Sequence, residues 1–181
     1  MNLPNKLTLF RIGLIPVFVV LARLSAAWGQ YAAVAVYVIA CATDAADGRI
    51  ARSRNLVTNF GKFMDPIADK LLVMSAMIVL TAQGRMPDWV CILMLGREFL
   101  VSGFRLVAVE NGVVIAAGPL GKLKTVFQRV STVALLLFVP VGGGGGTLGT
   151  IATVLMYVAL ILTVISGADY ILRNRDCIKD M

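Results

Sequence analysis

Six stretches of this chain, near 7–25, 31–50, 63–82, 88–109, 124–141 and 147–171, are apolar for long enough to cross a bilayer. About 20 residues suffice, because ~30 Å of hydrocarbon is covered at a helical rise of ~1.5 Å per residue. No other feature narrows the fold so far. In lipid, every backbone N–H and C=O must be satisfied inside its own segment, so runs of this kind become helices. The expectation is an all-α integral membrane protein of six transmembrane helices. Six spans with short connections use nearly all of the 181 residues, so a single membrane domain over 1–181 is expected. A charged fraction of 15%, against about a quarter in soluble domains, points the same way.

Glycine and proline punctuate nearly every connection between these stretches. The five glycines at 142–146 fall between the last two spans and read as a flexible turn. The first 27 residues imitate a signal peptide, with Lys6 and Arg11 ahead of an apolar run and Ser25-Ala26-Ala27 as a small-residue cleavage site. Arg11 and Pro16 interrupt that would-be core and further spans follow it, so an uncleaved first span is expected.

Basic residues set the orientation. If the amino terminus is cytoplasmic, 15 of the 17 Lys and Arg side chains fall on that side and only Arg23 and Arg85 fall outside. The positive-inside rule therefore places both termini in the cytoplasm of a cell-membrane protein. The same rule accounts for the net charge of +7 through orientation and anionic lipid, and no nucleic-acid partner is expected. Cys41, Cys91 and Cys177 are odd in number and widely spaced, which favours packed thiols over a disulfide framework or a zinc site. Histidine is absent, so acid and base chemistry falls to carboxylates, lysines or tyrosines.

Against this apolar background, the window DAADGRIARSRNLVTNFGKFMDPIAD, 44–69, holds four of the ten acidic residues. Asp44 and Asp47 are three apart at the end of the second span, and Asp65 and Asp69 are four apart at the start of the third. On helices both spacings put the pair on one face. If the two helices are antiparallel neighbours, four carboxylates share a small volume, and close like charges disfavour full ionisation. Divalent cations remove that penalty. Hard oxygen donors without histidine or cysteine favour magnesium or manganese, and two ions bridged by carboxylates clamp a phosphoryl group. Gly48 and Gly61 permit close approach of a ligand to the backbone, Ala51 lies on the same small-residue track, and Arg52 reaches a phosphate with its planar fork. Pro66 disfavours helical geometry at Asp65, so the third helix starts or kinks there. A solvated mixed-charge loop is the plain alternative, and the fixed spacing D-x2-D-G-x2-A-R-x8-G-x3-D-x3-D argues against it.

At these residues the sequence resembles the CDP-alcohol phosphotransferase family. The resemblance implies a six-span membrane enzyme, usually a homodimer, that transfers a phosphatidyl or similar group from a CDP-linked donor to an alcohol and releases CMP. It implies that Asp44, Asp47 and Asp65 bind two Mg2+ or Mn2+ ions and that Asp69 assists the ions and acts as general base. Gly48, Ala51, Arg52 and Gly61 would frame the cytidine diphosphate, with Thr58, Asn5 and Thr8 as further donor contacts. PNKLTLFRIGLIP at 4–16, REFLVSGFR at 97–105 and GKLKT at 121–125 are similar to the branch that uses sn-glycerol 3-phosphate as acceptor and CDP-diacylglycerol as donor.

A dianionic acceptor needs a cationic pocket of its own. Arg97, Arg105, Lys122, Lys124 and Arg129, all on the cytoplasmic halves of the fourth and fifth spans, are the candidates. Glu98, Ser102 and Arg105 make one polar stripe along the fourth helix; such a stripe also serves to bridge helices. Two rivals stand beside this reading: the same chemistry with inositol phosphate, serine or phosphatidylglycerol as acceptor, and a secondary transporter with coupling-ion acids. The acids cluster at one membrane boundary, not at midplane, which disfavours the transporter.

Overall fold

A computed structural model of the protein describes residues 3–24, 26–53, 59–110 and 118–174. Over residues 44–53 of the second helix it describes the backbone and not the side chains. The described residues form six helices and no strand: α1 (Leu3–Arg23), α2 (Ala27–Ser53), α3 (Asn59–Ala82), α4 (Asp88–Glu110), α5 (Pro119–Phe138) and α6 (Gly146–Arg173). Asn5–Arg23 and Gly146–Arg173 are long and apolar enough to cross a membrane. The helices between them carry more charge, with Arg97, Glu98 and Arg105 inside α4 and Lys122, Lys124 and Arg129 inside α5.

Helix boundaries follow local chemistry. α5 begins at Pro119, five residues ahead of the apolar run, because proline at the first helical position gives up only an N–H that has no helical acceptor there. Pro140, two residues past its end, prevents continuation. α3 begins at Asn59 and runs through Pro66 without a break, so Asp65 and Asp69 sit one helical turn apart on one face.

The chain divides into two compact units, Met1–Gln83 and Gly84–Met181. In the first, α1 packs along α2 and against α3. Phe18 meets Tyr37 at a ring separation of 5.8 Å. α1 and α3 run parallel: Thr8 bonds Asp65 near one end, and Gln83 Nε2 donates to the Ala22 carbonyl, 2.5 Å away, at the other. In the second unit α6 packs against both α5 and α4. α4 and α6 run parallel and in step, through Trp89 with Tyr157, Arg97 with Ser166 and Phe104 with Tyr170.

Both units bury polar side chains beside an apolar core and expose large apolar ones. Buried positions include Asn5, Thr8, Arg11, Lys124, Gln128, Ser131, Thr132, Thr163 and Ser166. Phe10 and Val20 on α1, Trp28 on α2, Ile78 on α3, Ile92, Phe99, Leu100 and Leu106 on α4, Val126 on α5 and Ile161 on α6 face outward. Polar groups turned inward and large apolar ones outward is the distribution that a hydrocarbon solvent selects.

The five-glycine turn is a defined structure, not a loose tether. Gly142, Gly143, Gly144, Gly145 and Gly146 all have positive φ, and a Cβ on Gly145 would stand 2.3 Å from the Phe138 carbonyl oxygen. Gly84, also at positive φ, packs against Gly142. Beside it the buried Arg85 donates from Nη1 to the Leu136 carbonyl at 3.2 Å, placing a cation on the carboxyl-terminal end of α5, where the helix dipole favours one. Burial pulls the Arg85 guanidinium below its ordinary value, yet arginine stays protonated from so high a start. Gly145→Ala is expected to destabilise the second unit by about 2–4 kcal/mol, from left-handed strain plus the carbonyl clash, read as a lowered unfolding temperature in detergent.

Candidate functional site

Asn5, Thr8 and Arg11 fall on the inward side of α1, where all three are buried. Their spacing of three keeps them within one broad face of the helix. The Thr8 hydroxyl donates to Asp65 Oδ1, so α1 fixes the orientation of one acid on α3. Asp65 and Asp69 are half-buried, and Gly61, one turn before Asp65, is buried.

The two long pairings in this unit set the level of α2. Antiparallel helices that place residue 18 beside residue 37 carry residue 11 to the level of 44 and residue 8 to the level of 47, because both advance ~1.5 Å per residue. Thr8 is in turn bonded to Asp65. Backbone positions 44, 47 and 65 therefore fall at one end of the unit. The side chains of Asp44, Asp47, Ala51 and Arg52 lie outside the described residues, as does Thr58 altogether, and Gly48 is described by its backbone alone. Among the described residues no three acidic, cysteine or histidine side chains gather. The donor chemistry at hand is that of Asp65 and Asp69, two carboxylates one turn apart with no thiol or imidazole beside them, and it fits a hard cation.

Arg11 was legible only as a basic residue near a membrane boundary. In the structure it is a fully buried side chain, and a buried guanidinium calls for anionic neighbours. Its signal in the sequence was the polar spacing Asn5, Thr8, Arg11 within an otherwise apolar helix.

The second unit assembles another polar cluster from α4, α5 and α6. Arg97 donates from Nη1 to Glu98 Oε1 at 3.2 Å and from Nη2 to Ser166 Oγ at 3.0 Å. The buried Lys124 ammonium donates to the same Glu98 oxygen. Glu98 thus bridges α4 and α5, and the Ser102 hydroxyl donates to its backbone carbonyl at 2.6 Å. Arg97 can lie across α6 only because residue 167 is glycine, where a Cβ would stand 2.9 Å from Arg97 Cγ. Arg105 is exposed and stacks over the Tyr170 ring at 5.9 Å. Of the five basic residues singled out for the acceptor, Arg97 and Lys124 meet at Glu98, and Arg105 approaches α6 one turn beyond Arg97's contacts. Lys122 is exposed and Arg129 half-buried. With two cations around one carboxylate, plus Arg105, the cluster carries an excess of positive charge.

Comparison with known proteins supplies an independent line. A family profile described as CDP-alcohol phosphatidyltransferase matches residues 1–165. The chain is 42% identical over 191 residues to the CDP-diacylglycerol--glycerol-3-phosphate 3-phosphatidyltransferase of Bacillus subtilis, covering 98% of this chain and 97% of that protein. It is 40% identical over 169 residues to the protein of the same name in Rickettsia typhi, at 93% and 94% coverage. A probable phosphatidylglycerophosphate synthase of Mycobacterium tuberculosis is 44% identical over 178 residues, covering 95% of this chain and 81% of the relative.

Proposed function

The chain belongs to the CDP-alcohol phosphatidyltransferase family, and from that premise we propose that it transfers the phosphatidyl group of CDP-diacylglycerol to sn-glycerol 3-phosphate, giving phosphatidylglycerophosphate and CMP. The observation that carries the reading is likeness over nearly the whole length to relatives bearing that activity in their names. The acidic spacing at 44–69 supplies a physical site for it.

In this reading Asp44, Asp47 and Asp65 would hold two divalent cations, magnesium or manganese, with Asp69 completing the set. Such ions, when bound, supply Lewis-acid polarisation of the donor's diphosphate. The chain's own residues do the rest. Thr8 holds the Asp65 carboxylate in place. Asn5, Thr8, Gly48, Ala51, Arg52, Thr58 and Gly61 form the donor pocket. Asp69 takes the proton from the primary hydroxyl of glycerol 3-phosphate, whose oxygen attacks the phosphorus bearing diacylglycerol. The bond from that phosphorus to the CMP oxygen breaks, and CMP leaves with its charge held by Arg52. Arg97, Arg105, Lys122, Lys124 and Arg129 supply the cationic surface for the acceptor's phosphate.

The same reading makes all six helices membrane spans, with both termini and the reaction on the cytoplasmic side of the cell membrane, in one domain over 1–181 that works as a homodimer. Buried polar residues on α1, α5 and α6 and exposed large apolar residues on all six helices support the lipid environment, and donor tails then enter from the bilayer.

Purified protein given CDP-diacylglycerol and a panel of acceptors tests this directly. CMP release is expected with sn-glycerol 3-phosphate and not with inositol phosphate, serine or phosphatidylglycerol. Chelation is expected to abolish it, and magnesium or manganese to restore it. A neutral acceptor working best, or release indifferent to chelation, would overturn the reading.

A further inference from the structure

The Tyr170 hydroxyl and the Arg97 Nε–H are buried donors of the second unit with no hydrogen-bond partner among the described residues. Buried polar groups are nearly always paired, so each that is not asks for a ligand or a role. These two belong to one place. Arg97 and Tyr170 lie within electrostatic reach of each other, and Arg105 lies within reach of Arg97. Ser166, Gly167 and Tyr170 follow one another on the buried side of α6 at spacings of one and three. Ser166 anchors Arg97, Gly167 leaves room for its stem, and Tyr170 is held by the edge of Phe104 at 5.8 Å and by the Arg105 guanidinium over its ring at 5.9 Å.

Arg97 and Arg105 stand about two turns apart on α4, and their like charges disfavour one another unless an anion lies between them. Arg97 meets Glu98, but that carboxylate is shared with Lys124. Arg105 has its face on an aromatic ring, and it is exposed. The arrangement sets two guanidiniums on α4 and one phenolic donor on α6, with Arg105 exposed at its edge. Its chemistry suits a phosphate monoester: planar forks for two oxygens and a hydroxyl for a third.

We propose that Tyr170 on α6 is a ligand for the acceptor's phosphate, its hydroxyl donating to a phosphate oxygen between Arg97 and Arg105. The inference rests on the acceptor reading above and adds to it a residue that carries no charge and a helix that otherwise contributes no ligand. Tyr170→Phe removes the hydroxyl and keeps the ring on which Phe104 and Arg105 pack.

Initial rates of CMP release, with sn-glycerol 3-phosphate varied at saturating CDP-diacylglycerol and then the reverse, separate the two substrates. Tyr170→Phe is expected to raise KM for glycerol 3-phosphate about tenfold, the size of one hydrogen bond to a charged group. KM for the donor and the unfolding temperature are expected to stay as in the parent. Inorganic phosphate, as a competitor of the acceptor, is expected to weaken in the same proportion. Arg97→Ala is run beside it. An acceptor KM that moves in Arg97→Ala and not in Tyr170→Phe overturns the role of Tyr170 and leaves the acceptor reading standing. An acceptor KM unmoved in both overturns the acceptor reading itself. A rise shared equally by donor and acceptor in Tyr170→Phe marks a packing role and also overturns the proposal.

Discussion

Asp69→Asn is expected to lower kcat by about 10²- to 10⁴-fold, the usual contribution of a positioned general base, while CDP-diacylglycerol still binds. The carboxamide has the shape of the carboxylate and no capacity to take a proton. Asp69 is half-buried on α3, one turn beyond Asp65, in a helix that continues unbroken through Pro66. The substitution therefore leaves the helix and the Thr8 bond to Asp65 in place. Single-turnover release of CMP measures the chemical step, and equilibrium binding of the donor measures what remains. Two roles are proposed for Asp69, and added metal separates them. If the loss is one of ion affinity, raising magnesium recovers turnover. If it is loss of the base, saturating magnesium leaves kcat low while donor binding is normal. Turnover near the parent value under all conditions removes Asp69 from the base role.

The positions of the helices were largely legible because a bilayer demands long apolar runs, and all six runs became helices. Their ends were less so. The apolar run of the fifth helix begins at residue 124, whereas the helix starts at Pro119, where proline geometry decides. Pro66 reads as a start or a kink, yet α3 extends seven residues ahead of it. Side-chain roles were harder still. Hydropathy treats Arg11 and Arg85 alike as cations at a boundary, but both are buried, because burial depends on which face meets a neighbouring helix. Ser166 and Tyr170 sit in the most apolar helix of the chain and barely perturb its pattern. Only their spacing with Gly167, together with Arg97 lying across them, gives them meaning. The expectation for the acidic window rests on spacing, since helical periodicity turns offsets of three and four into shared faces; α3 carries Asp65 and Asp69 in that way, and the side chains of Asp44 and Asp47 lie outside the described residues.

The Glu98 bridge leads to the second large effect. Glu98→Ala is expected to destabilise the protein by about 3–5 kcal/mol, the cost of leaving one member of a buried ion pair without its partner. Lys124 is 2% exposed and its ammonium points at Glu98 Oε1; Arg97 Nη1 shares that oxygen. Without the carboxylate, two cations face each other among the helices, and water reaches neither freely. Charge alone predicts that Lys124→Met is milder, because Glu98 keeps Arg97 as a partner. It also predicts that Glu98→Ala combined with Lys124→Met recovers much of the loss, since the second change removes the ammonium that the first one stranded. Unfolding midpoints in detergent for the two single variants and the double variant give the coupling directly. Additive losses would mean that Glu98 stabilises through packing and not through charge. Recovery in the double variant without recovery of acceptor KM would separate the two uses of this cluster, because Lys124 is then dispensable for folding and still required to hold the phosphate.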